Sequence, residues 1–304
     1  MNKILVVGSI GLDTVETPFG QVQDVLGGSA TYFSVAASFF TPVNLVAIVG
    51  SDFPEKEIGF LQSRRIDTKG LIINPGKTFR WKGKYSYDLN TAQTLDTQLN
   101  VFAQFKPVLP ADYQDASFVL LANIDPELQL EVLKQVKKPK FIACDTMNYW
   151  IDKKVDALKK VIAAVDLLFI NEAEIRQLTQ ELNLVKASKK IFSWGAKHVI
   201  VKQGEYGALM FSQGSVFSAP GFPLEEVNDP TGAGDSFAGG FMGYLAQKGE
   251  LSEKYFRQST IIGSVMASFN VEDFSLNRFK RLKYEEIEQR FKEFKRLSHF
   301  EETL

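Results

Sequence analysis

The sequence is poor in the residues that build disulfide frameworks and zinc sites. Its 304 residues include one cysteine, Cys144, and two histidines. A single cysteine cannot form an internal disulfide, and one cysteine with two histidines cannot supply the four ligands of a structural zinc site. We therefore expect a protein of a reducing compartment, the cytoplasm.

Long apolar runs and an excess of one charge are also absent. The apolar run at the amino terminus is too short for a signal peptide or a membrane span, and glycines and polar residues follow it at once. The 35 basic and 36 acidic residues give a formal net charge of −1. This balance shows no bias toward nucleic acid or an anionic membrane, and we expect neither as a partner.

What the sequence does contain is an alternation of buried strands and helices. Mainly apolar segments that predict buried strands occur at 3–8, 43–50, 118–122 and 140–145, and helical patterns follow them along the chain. Such alternation is typical of an α/β protein with a mostly parallel sheet. No low-complexity linker or internal repeat divides the chain, so we predict one domain over 1–304.

Two segments, at about 12–26 and 71–105, do not fit this alternation. The second contains Phe79–Tyr87, whose aromatic and polar residues alternate around a glycine, the pattern of a β-hairpin, and Thr97–Phe102, which has the pattern of a further strand. We predict that these strands form a small sheet standing out over a site. The alternative is an edge extension without a role.

The most distinctive stretch is the loop that reads Asn-Asp-Pro-Thr-Gly-Ala-Gly-Asp-Ser from 228 to 236 and continues as a helix. A helix that opens on glycines presents free backbone N–H groups, which together with the helix dipole attract an anion. A carboxylate at Asp235, in the same turn, makes sense if it deprotonates the group that attacks this anion, as in phosphoryl transfer. The alternative is a glycine-rich helix cap, which does not need glycines so close to the aspartate.

Two further stretches have both a functional and a structural interpretation. Asn171-x-x-Glu174 follows a buried strand and could hold water around Mg²⁺ near phosphates, but it also matches a helix capping box. Lys202-x-Gly204-x-x-Gly207 would let the backbone approach a nucleotide, although a simple turn would use the same glycines.

A third stretch combines Asp13 with the pair Gly27-Gly28. The carboxylate could accept hydrogen bonds from substrate hydroxyls, and the glycines would let the backbone come close to the substrate. The alternative is that all three are turn residues at strand ends.

Together these four stretches resemble the ribokinase, or PfkB-type, carbohydrate kinase family. The loop 229–237 is similar to its C-terminal motif, Gly27-Gly28 to its N-terminal motif, Asn171-x-x-Glu174 to its magnesium motif and Lys202-x-Gly204-x-x-Gly207 to its nucleotide loop. They occur in the family's order along essentially the whole chain. The resemblance implies a ribokinase-like fold: a central, mostly parallel sheet flanked by helices, with a small protruding β-sheet as a lid, which in this family often forms a dimer contact.

The resemblance also implies roles for individual residues. Asp235 would take the proton from the substrate hydroxyl, and the anion hole for the phosphoryl group would be formed by Gly232, Ala233 and Gly234. Asn171 and Glu174 would organise Mg²⁺, with Asp229 near the metal or a monovalent cation. The ATP molecule would be lined by four residues, Lys202, Gly204, Gly207 and Gly263, the last in the segment that walls the adenine.

On the substrate side, Asp13, Gly27 and Gly28 would bind the acceptor, but the sequence departs from the family pattern in two places. Tyr32 stands where family sugar kinases commonly have an asparagine that holds sugar hydroxyls. The strand end 145–150 resembles the family's Asp-Pro-Asn-x-Arg pattern but lacks the arginine. Both departures leave the expected reaction unchanged and put the identity of the substrate in doubt.

We therefore predict an ATP- and Mg²⁺-dependent kinase that phosphorylates an alcohol group of a sugar or sugar-like molecule. Tyr32 and the aromatic residues of the lid favour a nucleoside kinase of the same family as the alternative. A non-catalytic sugar or nucleotide sensor on the same fold is a further alternative, but a sensor would not need the base Asp235.

Overall fold

The structure, a computed structural model, describes residues 2–299, so residue 1 and residues 300–304 of the predicted domain lie outside the described part. The strands in this range are β1 (Ile4–Val7), β2 (Gly11–Thr17), β3 (Gly20–Gly27), β4 (Val43–Gly50), β5 (Ile66–Asn74), β6 (Phe79–Tyr85), β7 (Ala92–Gln98), β8 (Phe118–Leu121), β9 (Phe141–Cys144), β10 (Leu167–Asn171), β11 (His198–Lys202), β12 (Ala208–Ser212) and β13 (Ser215–Ala219). They form two sheets.

The main sheet has nine strands in the order β13-β12-β11-β10-β9-β8-β1-β4-β5. All neighbours from β11 to β5 are parallel, and only β12 and β13 at one edge are antiparallel. Every residue of β1, β4 and β8 is buried. Burial on both faces explains why these strands are apolar, apart from Asn44 of β4, instead of alternating between apolar and polar residues.

Helices cover both faces of the main sheet. They are α1 (Ser29–Ser38), α2 (Glu55–Ser63), α3 (Pro126–Leu133), α4 (Asn148–Lys153), α5 (Val155–Ala164), α6 (Glu172–Thr179), α7 (Leu184–Trp194), α8 (Ala233–Lys248), α9 (Glu253–Asn270), α10 (Asn277–Arg281) and α11 (Tyr284–Ser298). Apolar residues of α1, α8 and α9 build the core on one face, and those of α3, α5, α6 and α7 build it on the other. The predicted class, a mostly parallel sheet between helices with a small additional sheet, is confirmed.

The small sheet has four strands in the order β3-β2-β6-β7. Its central pair, β2 and β6, is parallel, and the outer pairs are antiparallel. It differs from the prediction in detail: Phe79–Tyr85 is a single strand that runs through Gly83, not a hairpin, and the indole of Trp81 occupies the space beside this glycine. Residues 71–74 belong to the main sheet, and Asn100–Gln104 is a 3₁₀ helix.

Among residues 2–299, none of the helices combines the length and the apolar character needed to cross a membrane.

Candidate active site

Three polar side chains follow neighbouring strands at one edge of the main sheet. Asp145 comes directly after β9, Asn171 is the last residue of β10, and Lys202 is the last residue of β11. Asn171 and Lys202 are paired in register. Because the carboxyl ends of parallel strands meet at one edge, the sheet brings these residues together, at the place where α/β sheets bind ligands.

The loop before α8 faces this edge with unsatisfied backbone donors. Gly232 adopts the left-handed conformation, with φ of 76°. The N–H of Ala233 donates to Pro230 and that of Ser236 to Gly232. Between them, the N–H groups of Gly234 and Asp235 have no acceptor in the described part of the chain. Free donors at the positive end of a 16-residue helix can bind an anion, and we call this turn the anion site.

The loop is held in place by contacts from distant parts of the chain. Asn270 donates to the carbonyl of Thr231 over 2.8 Å and accepts from the Ser236 hydroxyl over 2.9 Å. The Tyr85 hydroxyl of the small sheet lies 3.3 Å from the Thr231 hydroxyl. The sequence prediction missed Asn270, since nothing marks an asparagine at the end of a helical run as the support of another loop.

Asp235 lies in the first turn of α8, and its carboxyl has an unusual affinity for protons. Burial raises its pKa to about 7, Asp145 and Glu174 raise it as well, and the Lys202 ammonium opposes them. A carboxyl that titrates near neutral pH can both accept and release a proton under ordinary conditions, which is what a general base requires.

Lys202 forms an ion pair with Asp145. Its Nζ atom lies 2.7 Å from Oδ2 of the carboxylate, and the two side chains are 17% and 5% exposed. Burial lowers the pKa of Lys202, but Asp145 and Glu174 more than offset this effect, so the ammonium stays charged. A Cβ atom at Gly234 would lie 3.0 Å from Nζ. The ammonium is therefore next to the anion site.

Asn171 and Glu174 form the capping box of α6. Asn171 Oδ1 accepts from the Glu174 N–H over 2.8 Å, and Glu174 Oε2 accepts from the Asn171 N–H over 3.0 Å. Burial raises the pKa of Glu174 to about 7, whereas Lys202 lowers it. The structural interpretation of this motif is thus realised. It does not displace the functional one, because Oε1 of Glu174 has no hydrogen-bond partner within residues 2–299.

The donor set near Glu174 fits Mg²⁺ only together with phosphates. In residues 2–299, no group of three or more His, Cys, Asp or Glu side chains is placed to hold a metal ion. Mg²⁺ in kinases is commonly held by one or two protein oxygens, water and the substrate phosphates instead of a complete protein cage. The free Oε1 of Glu174 beside an anion site matches this arrangement.

Asp13, on β2, is buried against the predicted glycine pair. A Cβ atom at Gly27 would overlap its carboxylate. Gly28, with φ of 96°, begins α1 and packs against the backbone of Ser9 and Ile10. Burial and the nearby Asp229 raise the pKa of Asp13 to about 7, although the Gly28 N–H lowers it. Asp13 and both glycines thus lie together.

Asp229 belongs to the surroundings of Asp13 and is separate from the Asn171–Glu174 pair. It is 1% exposed. Its Oδ1 accepts from the Thr231 N–H over 2.9 Å and its Oδ2 from the Ser275 N–H over 3.2 Å. Both oxygens hold the backbone of the loops around the site. The predicted position of Asp229 near the metal or a monovalent cation stays a prediction.

Tyr32 lies beneath the anion site. Its ring fills the space under Gly232, so that a Cβ atom at this glycine would overlap it. The side chain is 1% exposed, and its hydroxyl has no hydrogen-bond partner among the described residues. Tyr32 therefore supports the loop from below, and its ring is not an open wall of the substrate site.

The two glycines after β11 have different neighbours. Gly207, with φ of 96°, packs against the backbone of 219–221, which requires a residue without a side chain. Gly204 lies under Asn90, from the turn between β6 and β7. The tip of the small sheet therefore reaches the predicted nucleotide loop.

Gly263 is in the interior. It lies in α9, where a Cβ atom would meet the ring of Phe237 of α8 at 2.9 Å. This position gives Gly263 a role in packing two helices. It does not lie on the exposed loop with Gly204 and Gly207, and its predicted contact with the nucleotide has no support in its surroundings.

The small sheet adds an aromatic residue beside Asp13. Trp81 of β6 is directly opposite Asp13 in the strand register. Its indole N–H donates to Thr94 over 3.2 Å, and its ring is partly exposed. Tyr87, another aromatic residue of the small sheet region, is 87% exposed.

Comparison with known proteins identifies the class of the chain. A model of the pfkB family of carbohydrate kinases matches residues 1–279. The chain belongs to this family and is a phosphotransferase with an alcohol group as its acceptor.

Individual relatives differ in what they act on. A cytidine kinase of Thermococcus kodakarensis is 31% identical over 83% of this chain and 92% of its own length. An inositol 3-kinase of Arabidopsis thaliana is 25% identical over 94% of this chain and 78% of its own length. A crystal structure of an E. coli protein assigned as a ribokinase II, with ATP and Mg²⁺, superposes with a TM-score of 0.77 at 20% identity, over 96% of this chain and all of the other. The predicted ribokinase-like fold is confirmed.

Proposed function

We propose that the protein transfers the γ-phosphoryl group of ATP, in the presence of Mg²⁺, to a hydroxyl group of a sugar-like small molecule. The observation that carries this proposal is Asp235, a carboxyl with a pKa of about 7 in the same helical turn as two free N–H groups. Phosphoryl transfer needs a positioned base and neutralised phosphate charge more than covalent chemistry by the protein.

The steps follow from this geometry. The acceptor hydroxyl loses its proton to Asp235 while its oxygen bonds to the γ-phosphorus, and the bond from this phosphorus to the bridging oxygen breaks to leave ADP. The N–H groups of Gly234 and Asp235 stabilise the charge on the phosphoryl oxygens. Mg²⁺, held through Asn171 and Glu174, would neutralise charge on the phosphates when bound.

Within this class, we propose a nucleoside as the acceptor. Trp81, which is paired with Asp13 in the strand register and has a partly exposed ring, suits a substrate with a flat base and a ribose. The likeness to a cytidine kinase supports the same substrate class. An inositol has no flat base to stack on Trp81.

A substrate panel tests both levels of the proposal. Purified protein with Mg-ATP would be assayed for ADP release with cytidine, other nucleosides, ribose and myo-inositol. We expect turnover with at least one nucleoside and a higher kcat/KM for it than for ribose or inositol. A preference for inositol would contradict the nucleoside proposal, and an absence of transfer to all acceptors would contradict the kinase proposal for these substrates.

The variant Asp235→Asn tests the base. Loss of a positioned general base lowers turnover by a factor on the order of 10² to 10⁴, whereas nucleotide binding should stay nearly unchanged, because the backbone N–H groups remain. Near-normal turnover would disprove the assignment. Asp166→Asn, at the opposite end of the main sheet, serves as the matched control and should keep its activity.

A further inference from the structure

We propose that Lys202 contacts the phosphoryl group that is transferred and that Asp145 positions Lys202 for this contact. This inference rests on the proposed function, since it concerns the γ-phosphate of ATP. It assigns Lys202 to the reacting end of the nucleotide, and it gives Asp145 a role for the first time.

The position of the ammonium group is the first argument. Nζ of Lys202 lies between the Asp145 carboxylate, at 2.7 Å, and Gly234, where a Cβ atom would be 3.0 Å away. Gly234 supplies one of the two free N–H groups of the anion site. A phosphoryl group bound by these N–H groups is therefore within reach of Lys202.

The second argument is that the ammonium has unused donors. A lysine ammonium carries three N–H donors. Within residues 2–299, Lys202 uses one of them, toward Asp145. The side chain is 17% exposed, and a mostly buried charged donor without an acceptor is unfavourable. Phosphate oxygens bound at the adjacent N–H groups would accept from the remaining donors.

The third argument concerns Asp145, which is itself rigidly held. Its Oδ1 accepts from the Thr146 N–H over 2.8 Å, and its main-chain oxygen accepts from Gln129 over 3.0 Å. The side chain is 5% exposed. A carboxylate fixed in this way holds the flexible lysine side chain in one place. Asp145 is thus a positioning residue, and Lys202 is the group that contacts the substrate.

Calorimetry tests the contact between Lys202 and the γ-phosphate without any turnover. The protein would be titrated with the Mg²⁺ complexes of ADP and of the non-hydrolysable analogue adenylyl-imidodiphosphate. Lys202→Met should lower the affinity for the triphosphate analogue by a factor on the order of 10 to 100, which corresponds to the loss of one charge-assisted hydrogen bond. The affinity for ADP should stay within about threefold of that of the wild type. Lys202→Arg should restore part of the difference. Equal weakening of both nucleotides, or no weakening of either, would overturn the inference.

The positioning role of Asp145 has a matched control in the same fold. Asp166 also accepts from a backbone N–H, that of Ile142, and pairs with a lysine, Lys197, at 2.7 Å. Asp145→Asn should reduce the preference for the triphosphate and lower kcat, with the KM of the acceptor unchanged. Asp166→Asn should change none of these. A higher acceptor KM with unchanged triphosphate preference in Asp145→Asn would contradict the positioning role.

Failure of this inference and failure of the proposed function give different results. If the wild-type protein phosphorylates an acceptor but Lys202→Met binds both nucleotides as before, only the inference is wrong. If the wild type phosphorylates no acceptor, yet Lys202→Met loses the triphosphate preference, the contact between Lys202 and the γ-phosphate stands and the proposed function is wrong.

Discussion

The two halves of the site handle negative charge in opposite ways. We call Asp13 and Asp229 the substrate half, and Asp145, Lys202, Glu174 and Gly234 the phosphate half. In the substrate half, Asp229 raises the pKa of Asp13 beyond the effect of burial. In the phosphate half, burial also raises the pKa of Glu174 and Asp235, but a lysine ammonium lies among the carboxylates and partly offsets this rise.

This difference indicates what each half is prepared to bind. Buried carboxyls that repel each other gain when a ligand donates hydrogen bonds to them, as the hydroxyls of a sugar do. A buried ammonium with free donors gains when a ligand brings acceptor oxygens, as a phosphate does. Asp235 lies at the junction, since both Asp13 and Glu174 are coupled to it electrostatically.

Among the variants that should disturb only one half of the site, Gly27→Ala should have the largest effect. The new methyl group would occupy the place of the Asp13 carboxylate, so this side chain must move. We expect the KM of the acceptor to rise by a factor on the order of 10 to 100, the value of a lost hydrogen bond to a charged group, with ATP affinity unchanged in calorimetry. Gly59→Ala, where a Cβ meets no atom within 4 Å, is the control. Weaker ATP binding in Gly27→Ala would show that the halves are not independent.

The next effect is a pH dependence set by the phosphate half. The pKa of Asp235 is about 7, and only the deprotonated form can act as a base. The kcat/KM should therefore fall about tenfold per pH unit below 7. Because Lys202 lowers the pKa of Asp235, Lys202→Met should move this acid limb to higher pH. Asp13→Asn is the control, since the pKa of Asp13 is also about 7. Loss of the limb in this variant would assign it to the substrate half.

The smallest effect is on stability. The pKa of Asp13 rises from 3.8 in the unfolded chain to about 7 in the folded protein, so the folded state binds the proton more tightly. Stability from this group is complete below pH 3.8 and is lost as the pH rises toward 7. Asp13→Asn removes the buried charge, and we expect its Tm at pH 8 to exceed that of the wild type by a few degrees. The gain should be smaller at pH 5.

Asp52 provides the opposite case for the same measurement. Burial raises its pKa, but hydrogen bonds from Thr78 and the Arg80 guanidinium outweigh burial and lower it. Asp52→Asn should therefore lower the Tm at neutral pH. If Asp13→Asn and Asp52→Asn shifted the Tm in the same direction, the conclusion that the charged carboxylate destabilises the fold at Asp13 and stabilises it at Asp52 would be wrong.

The sequence predicted those features that depend on local pattern. The apolar runs of β1, β4 and β8 identify the parallel sheet, because strands buried on both faces are composed mainly of apolar residues. The glycines before α8 predicted the anion site. The spacing of Asn171 and Glu174 predicted both the cap and the possible metal contact.

Contacts across the fold could not be predicted in this way. Lys202 and Asp145 are 57 positions apart, and Tyr85 and Thr231 are 146 apart. Such pairs depend on strand order and on how the small sheet meets the main one, and no local pattern determines either. The burial of Tyr32 and Gly263 was missed for the same reason, since it depends on helices packed from elsewhere in the chain.

The capping box of α6 has a consequence for ligand binding. A glutamate that folds into a cap has already given up its rotamer freedom, which costs on the order of 0.5–1.5 kcal/mol when binding must immobilise a side chain. Glu174 uses Oε2 for the cap and keeps Oε1 without a partner in the described part of the chain. The same hydrogen bond that caps the helix therefore fixes the position of Oε1. A metal ion that bound this oxygen would not have to immobilise the side chain, because its rotamer freedom was already lost during folding.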